Sequence, residues 1–582
     1  MTVESGESER LSDQAPRQRG RSAVWIAVAV AGFLAIGFLL FPGSSWDDSY
    51  ITYWPAHTLA QHGAILNYNG DRVEQSSTLG LVLILGVLAW CTGIEVSILG
   101  KLASIGLGAA AVVATARLAR AVEPRLAAGA AAILATTTYF VYWSFSGMET
   151  SLAALGGVLL LLAYARLLNG GASWGPWLVA IPITMLYLLS RPETFAIVLA
   201  TLFGVVVLLI GRRWRGVDAA PSWSGRVPRR VLGVGLVAVG SFLAILLFRL
   251  AYFGVLHPQP VSVKYRGVSR HGLEKGLGYA LENLQSDYVI VTVLACVAVL
   301  GVILPHRWSR PSNFARDLCV MFYLASVGFV VVSGGDGMVG GRFFVPLTAV
   351  AVVLAYGMLH DLLPVRALRP ALVIWICLQL GGALMFARTS SRSDPLWAAL
   401  AREAVPGNER FHWFDKANHD HRRYFPVVPE LERRIDAARR ADRPVRIFSG
   451  QSGFLMYHVT KDRLGDLKYF DRFGLCTRDF SACSVSAELP RSEWGLMLHE
   501  TYYLEHIDAF ERACGIARPD VVFDLFWQRF PPRLAAALEA AWYRVVYSQD
   551  DVFGGDSALL PGATVKGRAY IAIRRSLITE DY

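Results

Sequence analysis

Two adjacent carboxylates, Asp47 and Asp48, follow an apolar run from Ala23 to Phe41. The run is long enough to cross a bilayer, so the pair lies just past a membrane exit. Charged side chains at such a position usually face water, a bound cation or a substrate, because exposure to lipid is costly. One carboxylate could take a proton from a hydroxyl as a general base, and the pair could also bind a divalent cation. The alternative is that the pair caps a helix or marks a polar loop.

Further charged residues stand at the ends of other apolar runs. They are Glu149; Arg191 and Glu193; His257, Lys264 and Tyr265; and Asp336 and Arg342. Lys264 offers a compact positive charge for a phosphate, and Arg191 or Arg342 could contact a phosphate through two donors. The alternatives are a lysine that reaches the membrane surface, an Arg191–Glu193 ion pair, and structural roles for the carboxylates. We treat all eight as candidate substrate-binding residues.

Membrane helices must position these residues. The chain has 582 residues, of which 54% are hydrophobic and only 18% are charged. This composition is typical of a multi-pass membrane protein and excludes an ordinary soluble one. The net charge of +10 comes mostly from arginine clusters between apolar runs. Such clusters are typical of cytoplasmic loops, and we do not expect a nucleic-acid partner.

Eleven apolar runs are predicted to span the membrane. They are residues 23–42, 100–119, 126–145, 150–168, 177–190, 194–211, 231–252, 287–305, 317–333, 343–360 and 370–388. A further run at 78–91 is shorter. If it does not span, the arginine clusters lie in the cytoplasm and the external loops hold few basic residues, as the positive-inside rule requires. We therefore expect 78–91 to be an embedded or interfacial element on the outer face, which the candidate residues then share.

The composition becomes polar after Phe386. We expect a cytoplasmic tail at 1–22, a transmembrane domain at 23–388 and an extracytoplasmic α/β domain at 389–582. In the last domain the sequence predicts strands at 445–448, 520–523, 543–547 and 569–573, and helices at 431–440 and 534–541. Of its three cysteines, Cys476 and Cys483 could form a disulfide outside the cytoplasm, which leaves Cys514 over.

Six aromatic residues lie near the predicted outer boundary. They are Tyr50, Tyr53, Trp54, Tyr139, Tyr142 and Trp143. Because tyrosine and tryptophan are enriched where a membrane meets water, we expect most of them to form an interfacial belt. The others could stack on a sugar.

Several segments, taken in order, resemble one family of membrane enzymes. They are residues 46–51, 62–73, 147–150, 191–193, 258–264, 334–338 and 342–344. The set resembles the GT-C glycosyltransferases, most closely the terminal β-(1→2) arabinofuranosyltransferase group of the mycobacterial cell wall. The resemblance covers residues 23–390 well and the C-terminal domain loosely. The sequence departs from the family pattern at 53–54, 258–260, Gly337 and Val339.

This resemblance implies a polytopic GT-C fold in the bacterial inner membrane, with an active site on the outer face. It also implies a polyprenyl-phosphate-linked sugar as donor, D-arabinofuranose in that group, and a cell-envelope glycan as acceptor. Acidic residues of the first external loop carry catalysis in GT-C enzymes, which points to Asp47 and Asp48. We expect Asp47 to be the general base and Asp48 to orient the acceptor or bind a cation. No nucleotide is needed.

Two other functions compete with this one. A transporter or flippase of a lipid-linked sugar often shows inverted repeats, and the sequence shows no such halves. A non-catalytic scaffold would tolerate substitution of Asp47 and Asp48. If the protein is an enzyme, another sugar donor and a protein or lipopolysaccharide acceptor also remain open.

Overall fold

The computed structural model describes residues 4–41, 47–170, 174–214, 226–264, 268–284, 289–303, 313–336, 341–389, 427–439, 443–479, 500–526, 532–550 and 568–577. The helices before residue 390 are α1 (Glu4–Leu40), α2 (Asp48–His62), α3 (Leu79–Thr92), α4 (Val96–Val122), α5 (Ala127–Thr136), α6 (Thr138–Ser144), α7 (Thr150–Asn169), α8 (Gly175–Leu188), α9 (Thr194–Trp214), α10 (Arg226–Phe253), α11 (Gln259–Lys264), α12 (Arg270–Leu284), α13 (Val289–Ile303), α14 (Phe314–Val332), α15 (Val345–Leu362) and α16 (Val365–Thr389). The structure places no strand among the described residues of this part of the chain, and its longest described non-helical segment is 63–78.

Eight of the helices in the described residues are long and apolar enough to cross a membrane. They are α4, α7, α9, α14 and α15, together with the apolar parts of α1, α10 and α16. The turn before α5, with α5 and α6, passes the same test as one bent span. The predicted spans at 177–190 and 287–305 correspond to α8 and α13, which have 14 and 15 residues. The chain is therefore a multi-pass membrane protein, and each predicted span coincides with a helix or the bent pair.

The predicted span at 126–145 is wrong in one respect, because it is not a single helix. Its two halves meet at an angle of 68°, and Thr137 between them is extended, with φ −69° and ψ 113°. The backbone N–H of Thr137 donates to the Leu134 carbonyl instead of the Ile133 carbonyl. The Thr137 hydroxyl donates to the freed Ile133 carbonyl at 2.8 Å, and the Gln379 amide donates to that hydroxyl at 3.1 Å. Side chains thus satisfy the polar groups that the break exposes.

The short run at 78–91 forms α3, which has 14 residues and packs against α2 and α4. Like α8, this helix is shorter than the usual length of a membrane-spanning helix, so its predicted place on the outer face stays a prediction. The Gly80 amide donates to the Leu189 carbonyl at 2.8 Å. A β-carbon at Gly80 would lie 3.1 Å from that carbonyl oxygen, so glycine allows α3 to approach the end of α8 closely.

The C-terminal domain contains α17 (Val427–Ala438), β1 (Val445–Ser449), α18 (Phe454–Thr460), β2 (Leu467–Asp471), α19 (Glu500–Glu505), α20 (Ile507–Cys514), β3 (Val521–Phe526), α21 (Pro532–Ala540), β4 (Tyr543–Asp550) and β5 (Arg568–Arg574). The strand order is β2-β1-β3-β5-β4. The first three strands are parallel, and β5 runs antiparallel to β3 and β4. The four predicted strands and both predicted helices are confirmed, whereas β2 was not predicted.

One face of this sheet shares a hydrophobic core with the membrane domain. Residues of α2 and α3 pack there with β1 and α18, and the opposite face packs against α19, α20 and α21. Tyr50, Tyr53, Trp54, Tyr142 and Trp143 are each at most 2% exposed. The predicted interfacial belt is therefore wrong for these five residues. They are interior residues because the C-terminal domain and the helix bundle cover them.

Candidate active site

Asp47 and Asp48 stand at the start of α2. Asp47 occupies the position before the helix, but its side chain makes no capping hydrogen bond there. Its Oδ1 instead accepts a hydrogen bond of 2.6 Å from the backbone N–H of Phe454, at the start of α18 in the C-terminal domain. Asp47 is therefore not a simple helix cap.

The C-terminal domain also covers the Asp47 carboxylate. A β-carbon at Gly453 would lie 2.2 Å from Asp47 Oδ2 and 2.4 Å from Oδ1, so the carboxylate packs directly on that glycine. Burial raises the pKa of Asp47 to about 7; the Phe454 N–H opposes this shift, and the negative charge of Asp48 adds to it. Within the part of the chain that the structure describes, no hydrogen-bond donor contacts Oδ2. That oxygen lies against Gly453.

Asp48 is the more open of the two carboxylates, with 40% of its side chain exposed. Its Oδ2 lies 3.8 Å from Nη1 of Arg342, whose Nε donates to Oδ2 of Asp336 at 2.7 Å. Arg342 thus bridges two carboxylates and reduces their mutual repulsion. This bridge connects the start of α2 to the segment between α14 and α15.

Arg191 forms a second bridge between carboxylates. Its Nη1 donates to Glu149 Oε1 at 2.6 Å, and its Nε donates to Glu193 Oε1. Its guanidinium also lies over the Phe343 ring at 4.8 Å, and that of Arg342 lies 5.5 Å from the same ring. Phe343 therefore joins the two arginine clusters into one site, beside a cavity of about 20 Å³.

Helix ends hold these side chains in place. Glu149 precedes α7 and makes no capping bond with its side chain, which leaves its carboxylate for Arg191. Arg191 and Glu193 occupy the short link between α8 and α9. Gly147 has φ +79°, a conformation that favours glycine, and its carbonyl accepts a 3.0 Å hydrogen bond from the Tyr53 hydroxyl. This contact fixes the loop before Glu149 against α2.

The structure brings most of the candidate residues together. Asp47, Asp48, Glu149, Arg191, Glu193, Asp336 and Arg342 form a connected site. The Arg191–Glu193 ion pair, one of the alternatives, does form. His257 precedes α11 and Lys264 is its last residue, both with exposed side chains, and Tyr265 lies outside the described residues. Lys264 has no charged partner in the described part of the chain.

The charge balance limits what the site can bind. Five carboxylates lie beside two arginines, and each arginine already contacts two of those carboxylates. The arginines are therefore less available to a phosphate than the sequence suggests. Among the described residues, no group of three His, Cys, Asp or Glu side chains could hold a metal ion together.

Sequence reasoning missed a buried ion pair next to the site. Arg249 Nε and Nη2 donate to the two carboxylate oxygens of Glu74, both at 2.8 Å. Arg249 lies inside a predicted span, and a charge at such a position requires a partner, so the signal was present. The backbone carbonyl of Glu74 also accepts from the backbone N–H of Gln259, and the Gln259 side chain donates to the Gly474 carbonyl at 2.9 Å. This chain of contacts ties α10 and α11 to the C-terminal domain.

The loops that follow α2 and α3 make further contacts with the C-terminal domain. Tyr68 donates to the Ser452 carbonyl at 2.8 Å, and Asn69 both donates to and accepts from the Tyr469 backbone. Lys461 Nζ lies 2.6 Å from Glu95 Oε2, and the hydroxyl of Tyr457 in α18 donates to Glu95 Oε1. Cys476 is buried in this interface. Cys483 lies outside the described residues, so the Cys476–Cys483 disulfide stays a prediction.

No protein-family model matches the chain, and no curated protein sequence matches it. The apo structure of ArnT from Cupriavidus metallidurans is similar over 97% of this chain and 99% of its own, with 13% identity and a TM-score of 0.53. ArnT bound to undecaprenyl phosphate gives 14% identity, coverage of 96% and 99%, and a TM-score of 0.49. The apo Archaeoglobus fulgidus oligosaccharyltransferase gives 12% identity, coverage of 86% and 69%, and a TM-score of 0.48. The likeness to apo ArnT shows that the chain has the GT-C fold.

Proposed function

We propose that this protein is an integral-membrane glycosyltransferase. It moves a sugar from a polyprenyl-phosphate carrier to a hydroxyl group of a cell-envelope glycan. The observation that carries this proposal is the state of Asp47. One carboxylate oxygen is held by the Phe454 N–H, the other has no donor among the described residues, and the pKa is about 7. A general base works best when its pKa lies near the working pH.

The proposed reaction is a single displacement at the anomeric carbon. The acceptor hydroxyl lies against Asp47 Oδ2, which takes its proton as the hydroxyl oxygen attacks. The new glycosidic bond forms while the bond from the anomeric carbon to the carrier phosphate breaks. Polyprenyl phosphate leaves with the bonding electron pair, and the anomeric configuration inverts. The site needs no nucleotide for these steps.

Asp48 and the arginines have supporting roles in this proposal. Asp48 is exposed and lies against Arg342, so its carboxylate can accept hydrogen bonds from sugar hydroxyls and orient the acceptor. Arg191, bound to both Glu149 and Glu193, holds the loops before α7 and α9 in place within the site. Lys264 is exposed and has no described charged partner, which supports it as the phosphate contact.

The identity of the substrates rests on the family resemblance. The donor we propose is polyprenyl-phosphoryl-D-arabinofuranose, and the acceptor is an arabinan-like envelope glycan. The site faces the outer side of the bacterial inner membrane, because the arginine clusters assign the opposite loops to the cytoplasm. The C-terminal domain is extracytoplasmic on the same argument.

The test is a transfer assay with purified full-length protein in nanodiscs. The donor is polyprenyl-phosphoryl-arabinofuranose, the acceptor is a short arabinan oligosaccharide, and other polyprenyl-phosphate sugars form a comparison panel. We expect an elongated acceptor and free polyprenyl phosphate with the arabinofuranose donor. Product from a different sugar would change the donor and keep the reaction. No product from any donor, together with movement of labelled carrier lipid across vesicles, would favour the flippase.

A further inference from the structure

We propose that the loop between β1 and α18, residues 450–454, positions the Asp47 carboxylate for catalysis. The C-terminal domain then supplies part of the active site itself. This inference rests on the proposed function, in which Asp47 is the general base. The loop acts through the backbone, with the N–H of Phe454 and the bare α-carbon of Gly453 as its contacts.

The direct contacts leave the carboxylate little freedom. The Phe454 N–H donates to Oδ1 at 2.6 Å, a hydrogen bond to a charged acceptor. Gly453 lies against the same group so closely that an added β-carbon would overlap Oδ1, Oδ2 and Cγ. The two contacts fix Oδ1 and the plane of the carboxylate. Oδ2 lies against Gly453 and accepts no hydrogen bond among the described residues, so it is the oxygen that we propose meets the acceptor hydroxyl.

The loop is anchored on its other side to the sheet. Asp524 of β3 is buried, and its carboxylate accepts from the Gly450 amide at 3.2 Å and from the Gln451 side chain at 2.8 Å. Arg472, which follows β2, lies 3.2 Å from Asp524. The loop thus leaves the carboxyl end of a parallel strand with its backbone already held, and it presents Gly453 and Phe454 from a rigid base.

Residues of α2 and of the loop after it contact the same segment of the C-terminal domain. Tyr68 donates to the Ser452 carbonyl at 2.8 Å, directly before Gly453. The Phe454 ring meets the Tyr50 ring edge to face at 5.2 Å. Tyr50 and Asp47 belong to one turn, since the Tyr50 amide bonds to the Asp47 carbonyl at 3.0 Å. Movement of the loop would therefore move the carboxylate.

The groups around the carboxylate simplify a pH experiment. Asp48 at the start of α2 and Tyr68 after that helix lie on the membrane-domain side of the carboxylate, and His458 and Cys476 lie on the C-terminal domain side. Burial raises the pKa of Tyr68 and of Cys476 well above their ordinary values and lowers that of His458 to about 4. These three groups therefore stay uncharged near neutral pH. Arg342 lies beside Asp48.

The decisive comparison is between Phe454→Pro and Phe454→Ala. Both variants lose the ring, but only proline also lacks the N–H that binds Asp47. Phe454 is the first residue of α18, where proline is well tolerated because that N–H is not used inside the helix. The alanine variant therefore serves as the matched control for lost packing.

We expect a lower kcat for Phe454→Pro than for Phe454→Ala, by about tenfold to a hundredfold, because a hydrogen bond to a charged group is lost. The KM for the donor should be equal in the two variants. The pH midpoint of kcat should be higher in the proline variant, since the N–H stabilises the ionised carboxylate. Equal kcat and equal pH midpoints in the two variants would overturn the proposal.

Gly453→Ala provides a second test, with Gly106→Ala of α4 as its control. A β-carbon at Gly106 would meet no atom within 4 Å, whereas one at Gly453 would overlap the carboxylate. We expect Gly453→Ala to lower kcat at least tenfold and to shift its pH midpoint, and the Gly106 variant to match wild type. Wild-type kcat and pH midpoint in folded Gly453→Ala would contradict positioning.

One readout is independent of transfer activity. The difference in thermal unfolding temperature between wild type and Asp47→Asn should depend on pH, because only wild type carries the buried carboxyl group. In a Phe454→Pro background this pH dependence should change, and in a Phe454→Ala background it should not. If wild type transferred no sugar but this pattern appeared, the proposed function would fail while the Phe454–Asp47 contact stood. Without the pattern, the contact itself would be refuted.

Discussion

Oδ1 of Asp47 and the backbone N of Phe454 lie 2.6 Å apart although 407 positions separate the two residues in the chain. The first residue follows the first membrane helix, and the second begins a helix of the C-terminal domain. Their hydrogen bond joins the two domains at the carboxylate to which we assign the chemistry. The properties of this carboxylate therefore depend on both domains.

The transfer rate should rise with pH through about 7. Asp47 must be ionised to accept a proton, and burial raises its pKa to that value. We expect kcat/KM to increase about tenfold for each pH unit below the midpoint and to level off above it. Initial rates between about pH 5 and 9, at constant ionic strength, provide the measurement. A rate that falls as the pH rises through 7 would contradict a base of this kind.

Asp47→Asn should stabilise the protein above neutral pH. The folded pKa lies above the unfolded value of 3.8, so the unfolded state binds fewer protons between pH 4 and 7. The stability of wild type should therefore fall across this window, by at most about 1.4 kcal/mol for each pH unit. The asparagine variant lacks this loss and its amide oxygen can still accept from Phe454.

Thermal unfolding in nanodiscs at several pH values checks this expectation. The unfolding temperature of Asp47→Asn minus that of wild type should grow from pH 4 to pH 7 and then level off. A difference that does not vary with pH would show that the Asp47 carboxyl group is not held in the buried environment described here.

The bridge made by Arg342 should matter for activity. Arg342→Gln leaves Asp48 and Asp336 without the cation between them, and we expect a loss of about tenfold to a hundredfold in turnover. Adding Asp336→Asn removes one of the two repelling charges and should restore part of the rate. The double-mutant cycle on kcat measures this coupling. Strictly additive losses would argue against the bridge.

The buried pair of Glu74 and Arg249 should show strong coupling in stability. Glu74→Leu or Arg249→Met alone leaves one buried charge without its partner and should cost about 3–5 kcal/mol. Glu74→Leu combined with Arg249→Met removes both charges and should recover most of that loss. Thermal unfolding of the four proteins tests the pair. A double variant as unstable as the sum of the single ones would show that the two residues act independently.

Local sequence patterns predicted much of the architecture. Apolar length identified the spans, and alternating β-branched and aromatic residues identified four of the five strands. Adjacent carboxylates after a span indicated the candidate site, and its role stays a prediction. The segment of β2, Leu467–Asp471, was missed because the loop residues around it have a stronger turn signal than its five residues have a strand signal.

The remaining features depend on contacts that are distant in sequence. Trp54 has the sequence context of an interfacial residue, but its ring lies against Tyr68 and against Tyr457 of the C-terminal domain, and it is fully buried. The pKa of Asp47 is likewise raised by burial, and the Phe454 N–H opposes that shift. Nothing in the local sequence of Gly453 and Phe454 predicts that they pack on Asp47. Arg249 differs from these residues, because a charge inside a span already demands a counter-charge nearby.

The most direct test of the account is the turnover of Asp47→Asn beside wild type in nanodiscs, with polyprenyl-phosphoryl-arabinofuranose and an arabinan acceptor. Thermal unfolding of both samples at the assay pH shows that each is folded. We predict transfer by wild type and a loss of about a hundredfold to ten-thousandfold in the variant, the range for removal of a general base. Transfer by folded Asp47→Asn at the wild-type rate would contradict the role assigned to this carboxylate.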